Sequence, residues 1–345
     1  LSGLTAEPDD TNDNSSEAVD FVRLYECSEE RKKLGQSIAE VKANATDENK
    51  ISYGREYARS NFGRNMLMRR QLKMIYWRSP AYNRSRIVLS LVLSFLLSSV
   101  FVNKNRRPEI MSETYISGIF STIFISFIIT GIMAITTVLP VMLKVRDVFY
   151  RHRASGMLDH WSLTWALASA EQLFIVFTSA MYCAVFYFTI GLDQDFGKFV
   201  AFWGFFTFNL AINSYFGQAF MCLVPGLATA GIICSVVIGM NNFFSGLIVR
   251  PQYLHGFWQV PYWITPGRYV YEGLIAPQFY NDHRIVVANW GTDFHDFLDC
   301  SDKETIAGKC HGTVAQYMHV FFGGKFHADN TALNASVLGV FLVIA

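Results

Sequence analysis

The sequence contains no GxxxxGKS/T phosphate loop and no apolar strand ending in an aspartate to hold magnesium, so these 345 residues encode no recognisable nucleotide site. HExxH, GxSxG and GxGxxG are also missing from any useful context, which leaves no metalloprotease, serine-hydrolase or dinucleotide signature. Charged residues are scarce, 17% against 51% hydrophobic. The net charge of +1 says little, because the two signs are segregated by segment. Six cysteines do not make a disulfide-rich scaffold: Cys27 lies in the polar head, and Cys183, Cys222 and Cys234 lie in apolar runs, where small thiols are ordinary.

What the chain has in quantity is uninterrupted apolar sequence. Ile87–Val102, Tyr115–Leu143, Trp161–Ile190, Phe199–Val224 and Leu227–Val249 are long hydrophobic runs, and Ala332–Ala345 is the start of another. A hydrocarbon core about 30 Å thick takes roughly 20 apolar residues per helix. At this length a helix is the form that satisfies its own backbone in lipid. The reading is an all-α, multi-pass membrane protein: a six-span helical bundle over residues 84–249 and 331–345, the last span truncated. The chain opens without Met and stops inside an apolar run, so a piece of something longer is expected.

Leu1–Asp20, which includes EPDDTNDNSSE, is acidic, lacks the apolar run of a signal peptide and has the composition of a disordered linker. Ser28–Lys42 reads as a short solvated helix, and residues 1–54 together read as a cytosolic linker. Residues 55–79 differ. Tyr57, Phe62, Met66, Leu67, Leu72, Ile75 and Tyr76 are interleaved with Arg59, Arg64, Arg69, Arg70, Lys73 and Arg78 at near-helical spacing, with Trp77 close to the end. Such a segment directly before a span is expected to lie in the membrane interface as an amphipathic helix, and Ser79-Pro80 ends it. Lys and Arg gather before the first span and between the second and third, which puts those flanks and the N-terminus in the cytosol. The cluster Lys104–Arg107 adds charge to the opposite side. Residues 250–330 are then an extracellular loop. Its aromatic, proline-broken first part suits short helices dipping into the outer leaflet, and the remainder is a polar lobe.

Cys300 and Cys310 share that loop, and a disulfide between them is expected if it is extracellular. Zinc held with His295, His311 and His319 is the alternative, although the spacing fits no standard ligand pattern. Glu171 is an acid inside an apolar run; it is either a functional group or a polar packing contact within the bundle. Asn209, Asn213, Gln218, Asn241 and Asn242 are suited to hydrogen bonds between helices. His152, His160, Asp147 and Asp159 gather beside the membrane, as a solvated loop or as the active groups of a membrane-embedded enzyme.

Taken in order, these segments resemble the transmembrane domain of G-subfamily ABC transporters, in particular the full-size pleiotropic drug resistance type. The resemblance is carried by Tyr76-Trp77-Arg78-Ser79-Pro80-Ala81-Tyr82-Asn83-Arg84-Ser85-Arg86, Val148-Phe149-Tyr150-Arg151-His152-Arg153-Ala154-Ser155-Gly156-Met157 and Phe243-Phe244-Ser245-Gly246-Leu247-Ile248. Pro261-Tyr262-Trp263-Ile264-Thr265-Pro266 and Gln278-Phe279 add to it. It runs from about Asp20 to the end and is closer to the second transmembrane half than to the first.

The resemblance implies one half of the substrate pathway of an ATP-driven exporter that moves hydrophobic small molecules, drugs or lipids by alternating access. A lipid or sterol floppase of the same fold is the nearest alternative; a membrane-embedded enzyme, receptor or scaffold lies outside the class. It further implies a nucleotide-binding domain holding ATP and Mg upstream, and a second transmembrane half in the same polypeptide or in a dimer partner. Surrounding lipids, a plasma-membrane location, no nucleic-acid partner, and no catalytic residue or metal in these residues complete the expectation. By position, Phe127, Thr130, Met133 and Thr137 face the pathway from the second span, and Ser235, Gly239 and Asn242 from the fifth. Leu247 and Ile248 form an apolar valve. Arg146, Arg151, His152, Arg153 and Gly156 belong to a cytosolic coupling loop, residues 144–160. His152 stands where many members of the family have Glu, and Glu171-Gln172-Leu173-Phe174 keeps the acid of the family's Glu-Ile-Pro but loses the proline.

Overall fold

The computed structural model describes residues 21–44, 57, 59–100, 108–298 and 310–344. The chain divides into two compact units, Leu1–Glu56 and Tyr57–Ala345. The first contains α1 (Phe21–Glu26) and α2 (Glu29–Ala43). The Ser28 hydroxyl caps α2 by accepting from the Arg31 amide, and Glu29 and Glu30 sit at the positive end of the helix dipole. α2 buries none of its residues, which suits its mixed charges. The linker expected at Leu1–Asp20 lies outside the described residues.

The second unit begins with α3 (Asn61–Arg78) and α4 (Pro80–Ser99), followed by α5 (Glu113–Ala154), α6 (His160–Ile190), α7 (Phe196–Leu223) and α8 (Leu227–Phe243). Then come the short helices α9 (Gln259–Ile264), α10 (Pro266–Phe279), α11 (Asp293–Leu298) and α12 (Val314–Phe321), and finally α13 (Thr331–Ile344). By length and composition α5, α6 and α7 are able to cross a membrane. α4 matches the first apolar run but carries Arg84 and Arg86 in its first half; α8 and α13, at 17 and 14 residues, match the last two runs.

α3 is more than an amphipathic strip. Arg64, Met68, Leu72 and Tyr76 recur every fourth residue and are its buried stripe, and the helix packs on α6. Phe62, Met66, Met74 and Trp77 remain exposed on its other faces. Apolar residues therefore line both sides, as fits a helix with protein on one flank and lipid on the other.

Two expected boundaries are corrected. Residues 144–154 of the expected coupling loop are helix, because α5 continues to Ala154. Arg151, His152 and Arg153 complement the negative end of the dipole in its last turn, and the chain turns at Ser155 and Gly156, the latter at φ 69°. The fifth span ends at Phe243 rather than Val249. Gly246 adopts φ 107°, and a Cβ there would lie 3.2 Å from the Phe326 ring, so a glycine turn stops the helix.

The connections sort onto two sides of the bundle. On one, β1 (Ile110–Ser112) pairs in parallel with β2 (Ile285–Val287), Ile110 opposite Ile285. β2 pairs antiparallel with β3 (His311–Thr313), Val286 opposite Gly312. This three-stranded sheet was not foreseen; it ties the α4–α5 connection to the lobe after α8. The α6–α7 connection joins the same side, since Gln278 Nε2 of α10 donates to the Lys198 carbonyl at 2.8 Å. Opposite lie α3, the α5–α6 turn and the Pro225-Gly226 turn. Apolar interiors fill both halves: Phe120, Phe127, Tyr182, Phe206 and Tyr271 toward the sheet, and Met68, Leu72, Tyr76, Met142 and Val145 toward α3.

Candidate functional site

Because α4 starts at Pro80, Tyr82 and Arg86 fall one turn apart, where side chains of a helix meet. Both are buried, and they meet Glu171 of α6, which is 0% exposed. Arg86 Nη1 donates to Glu171 Oε1 at 2.8 Å and to the Tyr82 hydroxyl at 2.6 Å. The Tyr82 hydroxyl donates in turn to the same carboxylate oxygen at 2.5 Å. Arg86 Nε donates to Thr137 Oγ1 of α5 at 2.7 Å. Arg86 Nη2 donates to the Ala134 carbonyl at 2.8 Å and to Ser214 Oγ of α7 at 3.0 Å. One guanidinium therefore joins α4, α5, α6 and α7. Tyr82 packs edge to face with both Tyr76 and Phe174 beside it, and the centroids of the three rings are 4.6 to 6.0 Å apart. Of the two readings of Glu171, the structure shows an ion pair inside the bundle. Arg86, the last residue of the Tyr76–Arg86 stretch and one of the basic residues before the first apolar run, is the cation of that pair. The available signal was the acid itself, since a carboxylate in an apolar run needs a cation on a neighbouring helix.

The expected pathway residues divide. Phe127 is enclosed, its ring 5.8 Å from Tyr271 and its carbonyl accepting from Asn209 Nδ2 at 2.9 Å. Thr130 is buried with its hydroxyl on the Ser126 carbonyl. Thr137 is taken up by Arg86, and Met133 lines a small void beside Arg86 and Ser90. These residues of α5 point into the chain, not onto an open wall. The open face of α5 is another stripe, Ile125, Ile132, Thr136 and Pro140, at helical spacing. On α8, by contrast, Ser235 and Gly239 are exposed beside Ile232, Val236 and Met240, and Asn242 is half-buried. α8 buries only Ala230 and Cys234, so most of its surface is uncovered in this chain.

Beside that surface, α5, α7, α8, α9, α10 and α13 line a half-open cavity of about 280 Å³. Ile212, Val270 and Phe341 give it apolar walls, and Asn209, Asn213, Asn241 and Thr265 are its polar side chains. Asn241 Oδ1 accepts from the Gly267 amide at 2.8 Å, fixing the start of α10 against α8. A concave apolar space with a few oriented polar groups suits an apolar ligand.

The expected valve pair also divides, for it lies in the turn after α8. Leu247 packs against the core, while Ile248 is exposed. Among the coupling residues, Arg146 is corrected most. It is buried, and its guanidinium donates to the carbonyls of Met221, Val224 and Pro225 at 2.7, 2.5 and 2.9 Å, capping the end of α7. Arg151, Arg153 and Gly156 are exposed and His152 half-exposed at the end of α5.

A second buried ion pair stands in α10, Arg268 Nη2 to Glu272 Oε2 at 3.4 Å, with the guanidinium 3.9 Å over Trp263. Glu272 Oε1 accepts from the His327 amide and from Asn330 Nδ2, joining α10 to the base of α13. In the lobe, burial pushes the Tyr317 hydroxyl up to about 12. Cys310 is buried and disulfide-bonded, so its sulfur is not a zinc ligand; Cys300 lies outside the described residues.

Long apolar helices whose buried charges are met by opposite charges, as at Arg86–Glu171 and Arg268–Glu272, or by backbone carbonyls, as at Arg146, define an integral membrane domain. Residues 65–279 match the family model of the ABC-2 type transporter, and the chain belongs to that family. It is similar to ABC transporter G family member 31 of Arabidopsis thaliana, 24% identical over 89% of this chain and 20% of that protein. It is also similar to member 32 of Oryza sativa subsp. japonica, 26% identical over 94% of this chain and 21% of that protein. With member 36 of Arabidopsis thaliana it shares 27% identity over 94% of this chain and 21% of that protein. The chain thus spans about a fifth of the length of the relatives it matches.

Proposed function

We propose that this chain is the membrane-spanning half of an ATP-driven exporter of hydrophobic small molecules. The observation that carries this is the uncovered apolar face of α8, with Ser235 and Gly239 upon it, lying over the apolar cavity beside Asn241. An apolar surface of that kind calls for lipid or a second transmembrane half, and two such halves face to face enclose a pathway. The side bearing α3 and the α5–α6 turn is cytosolic, following its Lys and Arg, and the protein belongs in the plasma membrane. ATP and Mg are held by a nucleotide-binding domain outside these residues. Arg151, His152 and Arg153 at the end of α5 receive its motion, and Arg146 keeps α5 locked to α7 so that α7 moves with it. The resemblance favours the second half of a full-size transporter.

The test uses the full-length protein in inside-out vesicles with a hydrophobic fluorescent dye and ATP. The dye is expected to accumulate with ATP, and Val236→Trp, which fills the cavity from α8, is expected to cut accumulation about tenfold while basal ATP hydrolysis persists. Accumulation unchanged by Val236→Trp would remove the cavity from the pathway, and no ATP-dependent accumulation of any hydrophobic dye would overturn the exporter reading.

A further inference from the structure

We propose that the groove between α3, α4 and α6 holds an anionic phospholipid drawn from the bilayer leaflet on the side of α3. This groove, of about 930 Å³, is separate from the cavity beside α8 and is lined by Lys73, Met74 and Trp77 of α3, Asn83, Arg84 and Ile87 of α4, and Leu173, Phe174 and Phe177 of α6.

Its chemistry is graded from one end to the other. Lys73 and Arg84 stand in its wall, and neither has a carboxylate partner among the described residues. The contrast with Arg86 is direct: two positions further along the helix, that side chain turns inward and finds five acceptors on four helices. Arg84 is exposed and makes no side-chain hydrogen bond among the described residues. Two further features favour a headgroup at this end. α4 begins here, and its cap Ser79 makes no side-chain hydrogen bond, so the first amides of α4 stand without a side-chain acceptor at this end. Asn83 donates through Nδ2 to the carbonyls of Tyr76 and Trp77, which leaves its buried Oδ1 without a donor. A headgroup ammonium or hydroxyl supplies that donor while the phosphate lies between Lys73 and Arg84.

The rest of the groove is apolar and uncovered. Trp77 is 76% exposed, Phe177 54% and Leu173 51%. Leu173 and Phe177 lie on α6, a helix able to cross a membrane, so this wall faces hydrocarbon. A soluble anion would satisfy the cations and leave these side chains in water. An uncharged sterol would cover them and leave the cations unpaired. A lipid with a negative head and an acyl chain does both, and the ring of Trp77 sits at the boundary where interfacial tryptophans are favoured. The occupant is a resident of the membrane domain rather than cargo, so the proposal stands independently of the export reading.

The test is fluorescence quenching of the full-length protein in vesicles containing brominated lipids. The difference between wild type and Trp77→Phe isolates the signal of Trp77. Half-maximal quenching of that signal is expected at about a tenfold lower mole fraction of dibrominated phosphatidylserine than of dibrominated phosphatidylcholine. Lys73→Gln/Arg84→Gln should abolish the preference, and Lys73→Arg/Arg84→Lys should retain it. Equal quenching by the two lipids, a preference unchanged in the Gln pair, or stronger quenching by brominated cholesterol than by either would each overturn the proposal.

Discussion

Arg86 and Glu171, 85 positions apart in sequence, form an ion pair at 2.8 Å inside the bundle. A buried pair is costly to desolvate and costlier to break, since removing one partner strands the other charge. Arg86→Met or Glu171→Met alone is expected to destabilise the fold by roughly 3–5 kcal/mol, seen as a lower melting temperature in detergent. Arg86→Met/Glu171→Met should recover most of that loss. Losses that simply add would show that the two residues do not act as a pair.

Arg146 caps three carbonyls at the end of α7. Arg146→Ala leaves them without their donor and is expected to cost about 3 kcal/mol, given that hydrogen bonds from charged groups are the stronger ones. Arg146→Lys should rescue only part of it, because a compact ammonium does not reproduce the guanidinium fork. Thermal unfolding of the three proteins checks this; full rescue by Lys would contradict the fork geometry.

Gly273 of α10 lets that helix approach α7 closely: a Cβ added there would lie 2.3 Å from the Phe205 ring. Gly273→Ala is expected to destabilise by roughly 1–3 kcal/mol through overpacking. Phe205→Leu in the same chain should relieve part of the strain. A melting temperature unmoved by Gly273→Ala would mean that α10 and α7 are not held in this contact.

The positions of the helices were legible because apolar runs of bilayer length leave little choice of structure. Their ends were less so. The α5 extension runs through Lys144–Arg153, a stretch whose charges also read as a loop, and the α8 stop rests on a turn at Gly246, where φ is 107° and the Phe326 ring, far away in sequence, leaves little room for a side chain. Glu171 stands out in the sequence as an intramembrane acid, but Arg86 does not, because a cation at the start of a run looks the same whether it turns to solvent or inward. Which face of α5 is open is hard to read in sequence for a related reason. Phe127, Thr130 and Thr137 are compatible with a cavity wall or with a packed interior, and only the neighbours Tyr271, Asn209 and Arg86 decide between them.

The two-sided arrangement of the connections predicts labelling. In the full-length protein in intact cells, Lys198→Cys is expected to react with an impermeant maleimide and Arg151→Cys is not. Lys104 and Lys303, which lie outside the described residues, are expected to behave like Lys198. Reaction of Arg151→Cys from outside would invert the orientation and take the end of α5 away from ATP-driven motion.

The account turns on the open face of α8 lining a pathway that changes access with ATP. The direct measurement is the rate at which an impermeant maleimide modifies Ser235→Cys in full-length protein from which Cys27 and Cys222 have been replaced by Ser. It is compared in sealed inside-out vesicles with and without ATP plus vanadate. The account predicts a several-fold change in rate on trapping, while a cysteine at lipid-facing Phe177 stays unchanged. An identical rate at Ser235→Cys in both states would contradict it.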